Sequence, residues 1–185
     1  MFGQQPGSRS RAQYKGQDYT SEVKLTLEEA YTTHKRTFNV NGKSIRITVP
    51  AGVADGQTIK LGGQGAPGVN NGPNGDLYIT FTVTDTTGFK RVGNDLYTTK
   101  EIDLYTAVLG GEAVIDTLGG AIKLKVAPGT QNGTKVRGKG KGFPLYKKEG
   151  EFGNLVVTYQ VTIPTNLTER QKELFNELAS VSKKD

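Results

Sequence analysis

The chain has 185 residues, a net charge of +6 and no cysteine. That composition excludes disulfides, thiolate metal sites and cysteine nucleophiles, and it suits a reducing, cytoplasmic setting. No apolar run approaches the ~18 residues of a membrane span, and Met1–Ser8 lacks the apolar core of a signal peptide, so no membrane association is expected.

Residues 1–17 hold four Gln, three Gly and a Pro without apolar periodicity, which predicts a flexible linker. From Val23 the pattern turns to period two. Val23, Leu25 and Leu27 alternate with polar neighbours, as do Phe38 and Val40, then Ile45, Ile47 and Val49. Such alternation predicts strands with one buried face. Asn41-Gly42 lies between two of these runs and predicts a tight hairpin, because both residues tolerate positive φ. Leu77, Ile79, Phe81 and Val83 form a further strand, and Leu27–Tyr31 is long enough for one helical turn only.

The chain then repeats itself. A shift of 77 positions places Asp18 on Asp95, Leu27 on Leu104, Gly42 on Gly119, Ile45 on Ile122 and Gly56 on Gly133. After one inserted residue, a shift of 78 places Leu77 on Leu155 and Val83 on Val161. The retained residues are turn glycines and alternating apolar positions, the ones a β backbone requires. Two tandem modules of one fold follow, over 18–92 and 93–163. Beyond Pro164, Thr168-Glu169-Arg170-Gln171 fits a capping box. Leu174, Phe175, Leu178 and Val181 then recur at helical spacing, so an amphipathic helix is expected within 164–185. Its apolar stripe needs a cover, either its own module or a second chain. The fold class expected is mainly β: two similar sandwich-like domains with short helical turns, plus the C-terminal helix.

No constellation of residues predicts catalysis. Gly63-x-Gly65-x-x-Gly68 has the letters of a dinucleotide fingerprint, but Pro67 and Pro73 deny it the helix whose amides would meet a pyrophosphate. His34 is the single histidine and stands beside Lys35 and Arg36, without an orienting carboxylate. Glu28 and Glu29 are adjacent and point apart. No enzymatic activity, metal or cofactor is expected. Lys135, Arg137, Lys139, Lys141, Lys147 and Lys148 cluster, and two readings stand: solvated lysines on a strand edge, or a contact for an anionic partner such as DNA. Arg36, Phe38 and Val40 put an apolar face and a cation on one strand near Val23 and Leu25. They are ordinary core, or one wall of a groove that takes an extended peptide by strand addition.

Several runs resemble the C-terminal region of DnaJ-type J-domain co-chaperones. They include Leu27-Glu28-Glu29-Ala30, Ile45–Val53, Leu61-Gly62-Gly63-Gln64-Gly65 and Gly75-Asp76-Leu77-Tyr78, then Phe89–Tyr97, Ala107–Gly111 and Gly138–Pro144. The order is the family's and extends from about Asp18 to Leu178. Because Asn41-Gly42-Lys43 closes the hairpin where class A members carry a cysteine-rich zinc module, the resemblance is to class B members or the related curved-DNA-binding branch. It implies a groove on Val23, Phe38, Val40 and Ile79 that binds unfolded client polypeptide. It further implies that His34, Lys35 and Arg36 receive the acidic tail of a DnaK-type chaperone, and that Leu174, Phe175 and Leu178 form a homodimer. Ser21 departs from the apolar residue common in relatives. The J-domain and its His-Pro-Asp motif lie outside this sequence, so the chain is expected to be part of a longer protein.

Overall fold

A computed structural model describes residues 11–183, and the chain is mainly β. It divides into two compact units. The first runs to Phe89 and takes in the loop Pro144–Glu151; the second comprises Lys90–Phe143 and Phe152 onward. The boundary thus falls a few residues before the one expected from the repeat, and the loop after Phe143 belongs with the first unit. Gly52 explains why this loop fits: it lies at φ 86°, and a Cβ there would sit 2.6 Å from the Pro144 carbonyl oxygen.

In the first unit, β1 (Tyr19–Thr26), β5 (Leu77–Thr84) and β4 (Thr58–Leu61) form a sheet in the order β1-β5-β4. β1 runs parallel to β5, with Val23 beside Phe81 and Ser21 beside Ile79. β2 (His34–Val40) and β3 (Lys43–Val49) form a separate hairpin. Asn41 (φ 49°) and Gly42 (φ 79°) both adopt positive φ, giving the two-residue turn whose twist suits the flanking strands. α1 (Leu27–Tyr31) follows β1 and buries Leu27 and Ala30. Its start is fixed by a capping box: Glu29 N–H donates to Thr26 Oγ1 at 3.2 Å, and Thr26 N–H to Glu29 Oε2 at 2.9 Å.

The second unit repeats this plan. β7 (Asp95–Asp103), β11 (Leu155–Thr162) and β10 (Lys135–Gly138) reproduce the order β1-β5-β4, and β6 (Lys90–Val92) adds a strand beside the start of β7. β8 (Gly111–Thr117) and β9 (Gly120–Val126) are the second hairpin, and α2 (Leu104–Leu109) stands where α1 stands in the first unit. The repeat extends to single hydrogen bonds. Asp18 Oδ1 accepts from Asp76 N–H at 2.6 Å, and Asp95 Oδ1 from Asn154 N–H at 2.7 Å. Asp55 Oδ1 accepts from Val83 N–H and Asn132 Oδ1 from Val161 N–H, both at 2.9 Å. Each unit buries its alternating residues in its own core, around Leu25, Ile79 and Phe81 in one and Leu155, Val157 and Tyr159 in the other.

α3 (Glu169–Ser182) begins with the expected box between Thr168 and Gln171 and buries none of its side chains. No helix among the described residues is long and apolar enough to cross a membrane.

The linker expected over 1–17 differs at its end. Residues 12–17 are a strap bound to the first unit: Tyr14 pairs with Val69, Gly16 N–H donates to Pro73 O and Ala66 N–H to Gln17 O. Lys15 Nζ reaches Asp76 Oδ2 at 2.8 Å. The strap was invisible to periodicity because most of its contacts are backbone bonds to a loop. Glycines permit them; a Cβ on Gly75 would collide with the Gln17 carbonyl. The glycine-rich run around Gly63–Gly68 therefore belongs to a loop that packs chain against chain. The remainder of the expected linker, residues 1–10, lies outside the described residues.

Candidate functional site

β1 ends its sheet, so one of its edges has no strand beside it among the described residues. Tyr19 N–H donates toward Asp76 O, and Leu25 O accepts from Thr84 Oγ1, so odd-numbered residues face β5. Thr20, Glu22 and Lys24 consequently turn their backbone N–H and C=O groups outward. The hairpin has a matching open side. Its turn closes on Val40 and Lys43, which makes Phe38–Ile45 and Arg36–Ile47 hydrogen-bonded pairs and leaves Lys35, Thr37 and Asn39 facing out. Two strands with unpaired edges are the backbone requirement for adding an extended peptide. A shallow depression at β1 is lined by Thr20, Ser21, Glu22 and Thr80.

His34, Arg36 and Phe38 occupy the inner face of β2 and are each half-buried, whereas Lys35 is exposed on the opposite face. Arg36 lies over the Phe38 ring, its guanidinium carbon 5.5 Å from the ring centroid. The same guanidinium donates to Lys24 O at 3.2 Å and to Glu29 Oε1 at 3.4 Å. The cation expected to await an acidic tail is thus already held by α1 and by the β1 edge. His34 Nδ1 lies 3.0 Å from Thr32 O. His34 and Arg36 are brought together, and Lys35 is not.

The four residues expected to line a groove do not share one environment. Val23, Val40 and Ile79 are core, 4%, 6% and 1% exposed, and only Phe38 reaches the rim. Alternation marks which face of a strand is covered, but it cannot separate a floor sealed by the other layer from one open to a ligand. Of the residues expected at the groove, Phe38, Arg36 and Ser21 are half-buried and accessible in part, and the other three are core. Sequence reasoning missed the backbone component, the outward amides of Thr20, Glu22, Thr37 and Asn39. The Asn41-Gly42 turn carried half of that signal, since a two-residue hairpin dictates which residues of β2 face out.

The equivalent positions of the second unit lack both the cation and the half-exposed ring. Gly111, Ala113 and Ile115 replace His34, Arg36 and Phe38, and Ala113 and Ile115 are buried. The two units therefore share a scaffold but not a rim.

Behind the site, Asp76 ties the strap to the sheet. It accepts from Lys15 and Lys60 at 2.8 and 2.9 Å and from Gly63 N–H at 3.0 Å. The hydrogen bond from Lys15, then that from Lys60, hold its carboxyl well below the usual carboxylate range.

In the second unit, Leu174 and Leu178 of α3 are exposed and Phe175 is half-buried against Tyr105 of α2, ring centroids 6.3 Å apart. Tyr105, Gln171, Leu174, Phe175 and Leu178 surround a hollow of about 140 Å³. The three expected dimer residues do share one face, and Val108 and Leu109 of α2 add exposed apolar surface to the same unit.

The first unit thus offers two open strand edges on a two-unit β scaffold. Comparison with known proteins gives the family. Residues 19–164 match the model described as the DnaJ C terminal domain, and the chain belongs to that family. It is 49% identical over 141 residues to the chaperone protein DnaJ of Caldicellulosiruptor saccharolyticus, covering 75% of this chain and 36% of that protein. Identity to the DnaJ of Bacillus licheniformis is 46% over 140 residues (76% and 37%), and to that of Geobacillus sp. strain WCH70 47% over 152 residues (82% and 40%). The matched stretch thus spans well under half the length of these curated relatives.

Proposed function

We propose that this chain is the polypeptide-holding region of a cytoplasmic J-domain co-chaperone. It captures extended apolar segments of unfolded clients at the first unit, for transfer to a DnaK-type chaperone. The observation that carries the reading is the pair of open edges on β1 and β2 beside the half-buried rim of Phe38 and Arg36. A client strand would satisfy the outward amides while placing alternate side chains against Phe38. The work is binding and requires no catalytic group or cofactor. An acidic chaperone tail would compete with Glu29 for Arg36, so its affinity is modest and salt-sensitive. Two chains associate through Leu174, Phe175 and Leu178, which gives two client sites and the avidity that follows. The test is binding of a permanently unfolded polypeptide to the chain and to Phe38→Ala, which should bind about tenfold more weakly. Unchanged affinity with an intact fold would overturn the site.

A second reading, DNA binding, is favoured by one observation: Lys123, Lys125, Lys135, Arg137, Lys139 and Lys141 are all exposed within the second unit. Counterion release makes DNA affinity fall steeply with salt, whereas apolar capture persists. A salt titration with duplex DNA and with an unfolded client separates the two.

A further inference from the structure

The internal repeat provides a control for each charge at the rim of the first unit. Arg36 is answered there by Glu29, 3.4 Å away. In the second unit, Ala113 takes the place of Arg36 and Thr106 that of Glu29. The cation is not lost, however. Lys100 takes the place of Val23 on β7, the strand across from β8. The alternation of β7 puts Lys100 on the inner face with the buried Leu96 and Ile102, beside Tyr159 in register. It is half-buried, and no carboxylate pairs with it among the described residues. Thr106, which replaces the acid, spends its own groups on Asp103, to which its N–H and hydroxyl donate at 2.8 and 2.9 Å. Gly111 and Ala113 on β8 are smaller than His34 and Arg36, the residues they replace from the first unit.

The backbone beside Lys100 is also available. β6 pairs with β7 only over Asp95–Tyr97, and no strand borders that side of β7 beyond Tyr97 among the described residues. Because Tyr97 faces β6, Thr99 and Glu101 turn their amides and carbonyls to the same open side.

We propose that the second unit carries its own ligand site: a slot along β7 from Thr98 to Ile102 that takes an extended peptide bearing one carboxylate side chain, read by Lys100. An inward-facing acidic residue meets the ammonium, and the residues two before and two after it are small or apolar and face Thr98 and Ile102. The two units would then sort ligands. The first, whose cation is neutralised from within, favours apolar segments; the second favours acidic ones. The inference stands on the repeat and on Lys100, independently of client capture at Phe38.

The probe is the acetylated, amidated heptapeptide Thr-Val-Thr-Glu-Thr-Val-Thr, titrated into the isotope-labelled full chain and followed by amide shifts, with a glutamine version as control. The expected result is movement of Thr98–Ile102, an affinity about fivefold weaker for the glutamine peptide or for Lys100→Gln, as an exposed charge pair allows, and recovery in Lys100→Arg. Arg36→Gln, in the other unit, should leave these shifts unchanged. Equal affinity of the two peptides, shifts confined to the first unit, or reproduction of the same shifts by inorganic phosphate alone would overturn the proposal.

Discussion

Phe38 and Ile115 occupy the same position of the two modules, and truncating each to alanine separates a ligand contact from a core contact. Ile115 is 4% exposed, so Ile115→Ala removes buried carbons and leaves a cavity, at a cost of about 3 kcal/mol. Phe38 is half-buried. About 100 Å² of its ring is shielded, worth at most about 2.5 kcal/mol at 25 cal/mol per Å². Losing the stacked Arg36 adds under about 1 kcal/mol. Stability alone hardly distinguishes the two variants, but binding does. An exposed aromatic edge beside two open strand edges has the makings of a hot spot, so Phe38→Ala should weaken capture of an unfolded client about tenfold. Ile115→Ala should leave it within about twofold. Urea unfolding gives the stability change and fluorescence anisotropy with a labelled client gives the affinity. Equal affinity in both variants, with both folded, would refute the assignment of the client site to Phe38.

Three further outcomes are expected. A chain ending at Thr165 should sediment as a monomer where the full chain sediments as a dimer, since it lacks Leu174, Phe175 and Leu178; equal masses would exclude α3 as the interface. Arg36→Glu should lose several-fold in affinity for the acidic C-terminal tail peptide of a DnaK-type chaperone at low salt. The loss should nearly vanish near 1 M salt, where the screening length is about 3 Å. Asp76→Asn keeps the group that Asn154 supplies in the second unit but removes the charge that holds Lys15 and Lys60. Amide order parameters of Tyr14–Gln17 should then fall while β5 stays rigid. The same release should follow acidification. A carboxyl held below its ordinary value stabilises the fold above the unfolded-state value near 4 and loses that contribution only as the pH falls beneath it. The strap should therefore stay ordered from pH 7 to about 5 and loosen in stronger acid.

Much of the fold was legible because the features that specify a β module are local. Turn glycines, the Asn41-Gly42 hairpin, the period-two runs and the Thr168–Gln171 box are each written within a few residues, and the repeat states them twice. The strap escaped because its partners lie far along the chain: Val69 and Pro73 are joined through backbone groups that composition does not reveal, and Asp76 through an ion pair with Lys15, 61 positions away. The candidate site was less legible. Alternation and charge place Phe38 and Arg36 on one face of one strand, but alternation could not show that Val23, Val40 and Ile79 are buried while Phe38 stays half-accessible. Nor could it show that Arg36 is engaged by Glu29, a contact that depends on α1 turning back over β2.

The most direct test of the account is hydrogen exchange of the full chain with and without a permanently unfolded client. The outward amides of Thr20, Glu22, Thr37 and Asn39 should exchange rapidly in the free chain and become protected in the complex, while their inward neighbours Ser21 and Phe38 change little. Protection confined to α2 and α3, or none in β1 and β2 at saturating client, would contradict it.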